Sequence, residues 1–129
     1  IDVTFAASPG SPGHLTFPMG EGVTLVVGPN VHPALFKAFK EVAERQEIPY
    51  KIEATPRMSG TDAMGLQVAA GGIPTMVVGI PLRYMHTPVE VISMKDVKRA
   101  GRLLAEFAAS LDADFMDHLA WDDENSPAG

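Results

Sequence analysis

The chain has 129 residues (13.7 kDa), 46% apolar and 20% charged, with a mean hydropathy of +0.08, the profile of one ordinary globular domain that can bury roughly two thirds of its unfolded surface. Zero cysteines exclude a disulfide framework and thiolate metal sites, so any metal must be held by His, Asp and Glu, and the cytoplasm is the expected compartment. The net charge of −6 sits at one end: residues 112–129 hold six acids (Asp112, Asp114, Asp117, Asp122, Asp123, Glu124) and no Lys or Arg, while residues 1–111 are balanced. There is no basic footprint for nucleic acid, no apolar run near the ~20 residues that span a bilayer, and no targeting segment at the start, so neither nucleic acid nor membrane is expected as a partner.

Residues 1–5, Ile-Asp-Val-Thr-Phe, read as a short strand. An opening inside an apolar, β-branched segment reads as the continuation of a longer polypeptide. Residues 6–22, with Pro9, Pro12, Pro18 and four glycines, form a loop long enough to be functional or mobile. Val23–Val27 reads as a strand covered on both faces, and Gly28-Pro29-Asn30 turns the chain into a helix over residues 33–46. Leu35, Phe36, Phe39, Val42 and Ala43 share one side of that helix, with Lys37, Lys40, Glu41 and Glu44 opposite. After Ile48-Pro49, Tyr50–Ala54 alternates like a strand at or near a sheet edge.

Ser59-Gly60-Thr61-Asp62 supplies N-cap residues for a short helix that Gly71-Gly72 would end. Residues 75–80 form an apolar strand stopped by Pro81, residues 89–92 a brief extended segment, and residues 94–111 a final helix. Ser93 and Asp96 have capping-box spacing at its start, and Val97, Ala100, Leu104, Phe107 and Leu111 form its apolar stripe. Strands alternating with helices predict an α/β layered sheet over residues 1–111, followed by a weakly folded acidic extension over residues 112–129.

The four histidines form no HExxH and no close pair at helical spacing. His14, His32 and His118 read as surface residues. His86 sits just past the carboxyl end of an apolar strand, where open α/β sheets gather ligands, and is either a hydrogen-bonded loop histidine or a ligand. Asp2 is a carboxylate in an apolar strand, so it needs a cation, several donors, or exposure at a frayed end. Asp62 in a first helical turn favours the helix dipole. No phosphate-binding glycine loop and no Gly-x-Ser-x-Gly elbow is present.

The combined string carries more. Gly28-Pro29-Asn30, Ile48-Pro49-Tyr50, Ser59-Gly60-Thr61-Asp62-Ala63 and Ile80-Pro81-Leu82-Arg83-Tyr84-Met85-His86-Thr87-Pro88-Val89-Glu90-Val91 resemble the carboxy-terminal part of the dinuclear metallo-aminopeptidases that include glutamyl aminopeptidase and the tetrahedral aminopeptidases. Some relatives carry the label endoglucanase. The resemblance runs over residues 1–111 and implies an α/β, mostly parallel sheet with helices on both faces, of which this chain is the C-terminal portion. It implies two divalent metal ions, zinc or cobalt, with Asp2 binding one and His86 the other. The remaining ligands (a His, a bridging Asp, and a Glu beside the general-base Glu) are implied upstream of Ile1, as is an inserted domain used for dimer contacts.

Peptide substrate and homo-oligomeric assembly follow from the same resemblance, with Thr61 and Asp62 as pocket-wall residues. The family usually has His at the position of Phe5 and often Asp within Ala-Ser-Pro-Gly, so the loop over residues 6–22 is expected to be reshaped. The expected function is removal of N-terminal residues from peptides by the complete protein, this chain by itself being inactive. The alternatives are a non-catalytic α/β module for assembly or peptide binding, and a glycan hydrolase, which requires a carboxylate pair.

Overall fold

The computed structural model describes residues 1–119, so Asp122, Asp123 and Glu124 lie outside the described residues. The elements are β1 (Asp2–Phe5), β2 (Val23–Val27), α1 (Pro33–Arg45), β3 (Tyr50–Ala54), α2 (Ala63–Val68), β4 (Val78–Arg83), β5 (Val91–Ile92) and α3 (Met94–Ala109). Their strands form one sheet in the order β1-β4-β2-β3, with β5 also paired to β4. β1 runs parallel to β4 and β2 parallel to β3, whereas β4 is antiparallel to both β2 and β5. The α/β architecture is as expected, in a sheet that mixes the two kinds of pairing equally.

Side-chain alternation divides the sheet into two different faces. Val23 and Leu25 of β2 and Val78 and Ile80 of β4 point to α1 and α3, where they meet Leu35, Phe39, Val42, Ala43, Ala100, Leu103 and Phe107 in the main core. Phe39 stacks on Phe107 with ring centroids 4.0 Å apart. Such a pair contributes about 1 kcal/mol beyond its area burial. The opposite face carries Asp2 and Thr4, Gly79 and Pro81, Thr24 and Val26, and Glu53, with a small cluster of Val26, Val31, Ala63 and Val77 at its α2 end.

On α3 the buried stripe is Ala100, Leu103 and Phe107, not the one expected: Leu103 is fully buried, whereas Leu104 is 46% and Leu111 44% exposed. A spacing of three then four from Ala100 selects either leucine at position 103 or 104, and only the docking angle on β4 chooses between them. The exposed side of α1 carries the Lys37–Glu41 and Lys40–Glu44 pairs. Pairs this exposed contribute a few tenths of a kcal/mol each.

Three further expectations are corrected. Pro81 does not end a strand but lies inside β4. The β2 ladder stops at Gly79 and β5 pairs only from Leu82, so no partner on that side requires an N–H at position 81. Asp62 occupies the N-cap of α2 with helical φ and ψ and makes no side-chain cap bond. Ser93 and Asp96 form no capping box either, because Ser93 makes no side-chain cap bond. Asp96 is instead fully buried, accepting from the backbone N–H of Gly20 (2.5 Å) and Gly22 (3.1 Å) and from Arg99 Nη1 (3.0 Å). Arg99 Nη1 also donates to the Gly20 carbonyl (2.8 Å). The first part of the acidic segment is packed on the body: Phe115 meets Phe107 edge-on and Leu119 is buried in the main core.

Asp96 thus fastens the end of the long loop over residues 6–22 to the first turn of α3. Asp96→Ala strips a partner from the buried Gly22 amide, the half-buried Gly20 amide and Arg99, and is expected to cost about 3 kcal/mol. Urea unfolding measures this. A loss below about 1 kcal/mol would show that water replaces the carboxylate.

Candidate metal-binding site

Asp2 opens β1 on the face opposite α1 and α3 and is half-buried. Its Oδ1 accepts the Val3 N–H at 2.7 Å, while no hydrogen bond among the described residues reaches Oδ2. The second oxygen is open to solvent at the cavity, where it is placed to ligate a cation.

His86 arrives at the same place from the end of β4. Tyr84 and His86 have φ of 65° and 62°, the left-handed region, which is unfavourable by about 1–2 kcal/mol per side-chain-bearing residue. Their surroundings hold this shape. The His86 N–H donates to Glu90 Oε1 (2.8 Å), the Thr87 N–H to the Tyr84 carbonyl (3.1 Å), and the Thr87 hydroxyl to the same carbonyl (2.6 Å). Arg83 Nε donates to the Ala7 carbonyl (2.7 Å), joining the end of β4 to the chain just after β1.

Asp2, Thr4, Glu53, Thr61, Met85 and His86 are among the residues lining one cavity of about 310 Å³. Its lining holds two carboxylates and no Lys or Arg, so its field favours a cation. Carboxylate and imidazole are the donor types that zinc and cobalt accept. Their number falls short, because no group of three or more metal-capable side chains occurs among the described residues. Asp2 and His86 fit part of a metal shell and do not complete one.

The other sequence candidates separate. Thr61 lines the cavity and its hydroxyl lies 2.8 Å from that of Ser59, whereas Asp62 is exposed and does not line it. His14 and His118 are exposed, and His32 caps α1, its Nδ1 accepting the Ala34 N–H at 3.2 Å. A larger cavity of about 520 Å³ beside the start of α1 is lined by His32, Gln67 and Thr75 but by no carboxylate. Without an acid or a second metal-capable group it offers nothing to hold a cation.

Glu53 is the cavity residue that sequence reasoning missed. The alternation along Tyr50–Ala54 was its one available signal, and it cannot say which face of the sheet receives the carboxylate. Tyr50, on the other face of that strand, donates to Glu44 Oε1 at 2.9 Å. Partial burial, and then the Glu44 carboxylate, raise the Tyr50 pKa above its ordinary value.

The left-handed loop generates a local prediction. Glu90→Ala is expected to speed amide exchange at His86 about tenfold, the effect of losing roughly 1.4 kcal/mol from one charge-assisted hydrogen bond. Exchange followed by NMR measures it, and an unchanged rate would mean that Thr87 and the turn hold His86 unaided.

Known proteins share the sequence and fold of this chain. Residues 1–103 match the family model described as M42 glutamyl aminopeptidase. A lysyl aminopeptidase of Pyrococcus furiosus is 42% identical over 103 residues, covering 80% of this chain and 30% of that protein. The TET aminopeptidase of the marine sediment archaeon Thaumarchaeota archaeon SCGC AB-539-E09 superposes with a TM-score of 0.82 at 28% identity, over 92% of this chain and 34% of that one. A structure labelled peptidase/endoglucanase is 34% identical, with a TM-score of 0.69 over 85% of this chain and 33% of that one. The chain spans about a third of the length of these relatives. With four fifths of its length inside the family model and its fold shared with solved aminopeptidases, the chain belongs to the M42 glutamyl aminopeptidase family.

Proposed function

We propose that this chain is the C-terminal catalytic segment of a dinuclear, metal-dependent aminopeptidase that removes residues from the amino terminus of peptides. The observation that carries the reading is the meeting of Asp2 and His86 in one carboxylate-lined cavity, although 84 positions separate them in sequence. In this reading Asp2 holds one divalent ion, zinc or cobalt, through Oδ2, and His86 holds the other through its imidazole.

When bound, the two ions supply Lewis-acid polarisation of the scissile carbonyl and a water of lowered pKa. The chain's own groups set where that chemistry takes place. β1 fixes the height of Asp2 over the sheet, and the left-handed turn aims the backbone of His86 back toward β1. Thr61 contributes a hydroxyl to the wall beside the substrate. The cavity carboxylates favour a substrate that presents a cationic α-amino group, which suits an exopeptidase acting at a free amino terminus. The bridging Asp and the general-base Glu belong, in this proposal, to the rest of the full-length protein, which acts as a cytoplasmic homo-oligomer.

The test uses the full-length protein. Asp2→Asn and His86→Ala are each expected to lower the content of one metal ion and to reduce hydrolysis of amino-acid p-nitroanilides by on the order of 100-fold or more. Full metal occupancy together with full activity in either variant overturns the assignment of that residue. The isolated 129-residue chain offers too few ligands for a zinc shell and is expected to bind metal weakly and hydrolyse nothing. Turnover by that chain as a verified monomer would show that the catalytic groups lie within it and that their assignment here is wrong. Release of reducing sugar from a β-glucan, without peptidase activity, would favour the endoglucanase reading instead.

A further inference from the structure

The face of the sheet that carries Asp2 also carries a connected set of polar side chains, of which Glu53 has so far contributed only its charge to the cavity. Glu53 Oε1 accepts the Thr4 hydroxyl at 2.8 Å and Glu53 Oε2 accepts the Thr24 hydroxyl at 2.7 Å. Thr4 and Thr24 are buried, with 5% and 0% of their surface exposed, so each hydroxyl depends on that acceptor. No ion pair to Glu53 occurs among the described residues, and the carboxylate is engaged by these two hydroxyls.

The contact joins the two ends of the strand order. β1 and β3 flank β4 and β2; on β4, Gly79 pairs with Asp2 and Thr24 and Pro81 pairs with Thr4, and the open face of Gly79 lies beside both threonine side chains. A Cβ at Gly79 would overlap the Thr24 hydroxyl and press on the Thr4 side chain. The missing side chain is what lets the two threonines and Glu53 come together over the central strand.

β1 needs such a tie. Among the described residues its ladder is with β4, the Phe17 N–H adds one bond to the Phe5 carbonyl at its end (2.9 Å), and Ile1, Val3 and Phe5 on its other face are exposed. Thr4 lies two residues from Asp2, on the same side of the strand. A displacement of β1 at Thr4 therefore moves Asp2 with it.

We propose that Glu53 is a positioning residue that holds the Asp2-bearing strand in place through the Thr4 hydroxyl, across the gap left by Gly79. The inference rests on the reading of Asp2 as a metal ligand. One charge-assisted O–H···O bond, from Thr4, couples β3 to β1 and sets the depth of Asp2 in the cavity, and the other, from Thr24, anchors Glu53 on β2. The tie to β1 needs an acceptor oxygen at this position, and the carboxylate charge strengthens the bond. A glutamine at position 53 keeps an acceptor oxygen for one of the two hydroxyls, whereas an alanine leaves both threonines without an acceptor.

Zinc affinity of the full-length protein, measured by competition with a chromophoric chelator, and amide exchange of Val3, Thr4 and Phe5 in the metal-free protein test this together. Glu53→Ala and Thr4→Val are each expected to weaken zinc binding about tenfold and to speed exchange along β1. The double variant should be no weaker than Glu53→Ala by itself, because both changes cut the same bond. Glu53→Gln, which keeps an acceptor oxygen for one of the two hydroxyls, should fall between the wild type and Glu53→Ala in both readouts. Wild-type affinity and exchange in a folded Glu53→Ala protein overturn the proposal, and so does a Glu53→Gln protein as impaired as Glu53→Ala. Should Glu53→Ala fail to fold, Thr4→Val decides by the same two readouts. Asp2→Asn separates the two readings. If it leaves zinc affinity unchanged the ligand assignment falls, and if it lowers affinity while Glu53→Ala and Thr4→Val do not, only the tether falls.

Discussion

The structure depends on the pairing demands placed on β4. This one strand holds β1 in a parallel ladder on one edge, and on the other it serves first β2 and then β5, both antiparallel. Gly79 sits where the β1 and β2 ladders meet, and Pro81 lies between the end of the β2 ladder and the start of the β5 ladder. A side chain at the first position would separate the polar residues of its neighbours, and the missing N–H at the second leaves no ladder unpaired. Two residues that normally weaken a strand interior are therefore placed where the topology uses what they lack.

The antiparallel joint between β2 and β4 also decides where chemistry can gather. In a fully parallel sheet every carboxyl end lies along one edge, and ligands collect there. Reversal at the joint brings the carboxyl ends of β2 and β3, with Val26 and Thr55, beside Asp2 at the amino end of β1. His86 reaches the same cavity from beyond the end of β4 because Tyr84 and His86 adopt left-handed conformations. A site between opposed strand directions needs such a turn, and the backbone strain it carries is balanced by the Glu90 and Thr87 hydrogen bonds.

The two faces divide the energetics as well. One is apolar and closed by α1 and α3, where burial of Leu25, Leu103 and Phe107 supplies most of the driving force at roughly 2–3 kcal/mol per side chain. The other is polar along Asp2, Thr4, Thr24 and Glu53, where hydrogen bonds contribute less to stability and specify position more. Asp96 does similar work outside the sheet, its carboxylate tying Gly20 and Gly22 to α3.

Local information was sufficient wherever periodicity and punctuation agreed. The five-residue run Val23–Val27, the amphipathic stripe of Leu35, Phe39, Val42 and Ala43, and the edge strand Tyr50–Ala54 were all legible, because side-chain spacing and flanking Gly and Pro constrain the chain within a few residues. The family was legible from the Arg-Tyr-Met-His segment and its companions, and residues 1–103 match its family model. What the tertiary structure decided depends on neighbours far away in sequence. Leu103 rather than Leu104 turns inward because of a docking angle. Pro81 stays in a strand because the β2 ladder ends before it. Asp96 binds a loop 74 and 76 residues earlier in place of its own helix terminus. Glu53 joins the site because strand order, register and one glycine bring it over the sheet to Thr4. Periodicity reports which side of an element a residue occupies, and only the assembled sheet determines what stands opposite it.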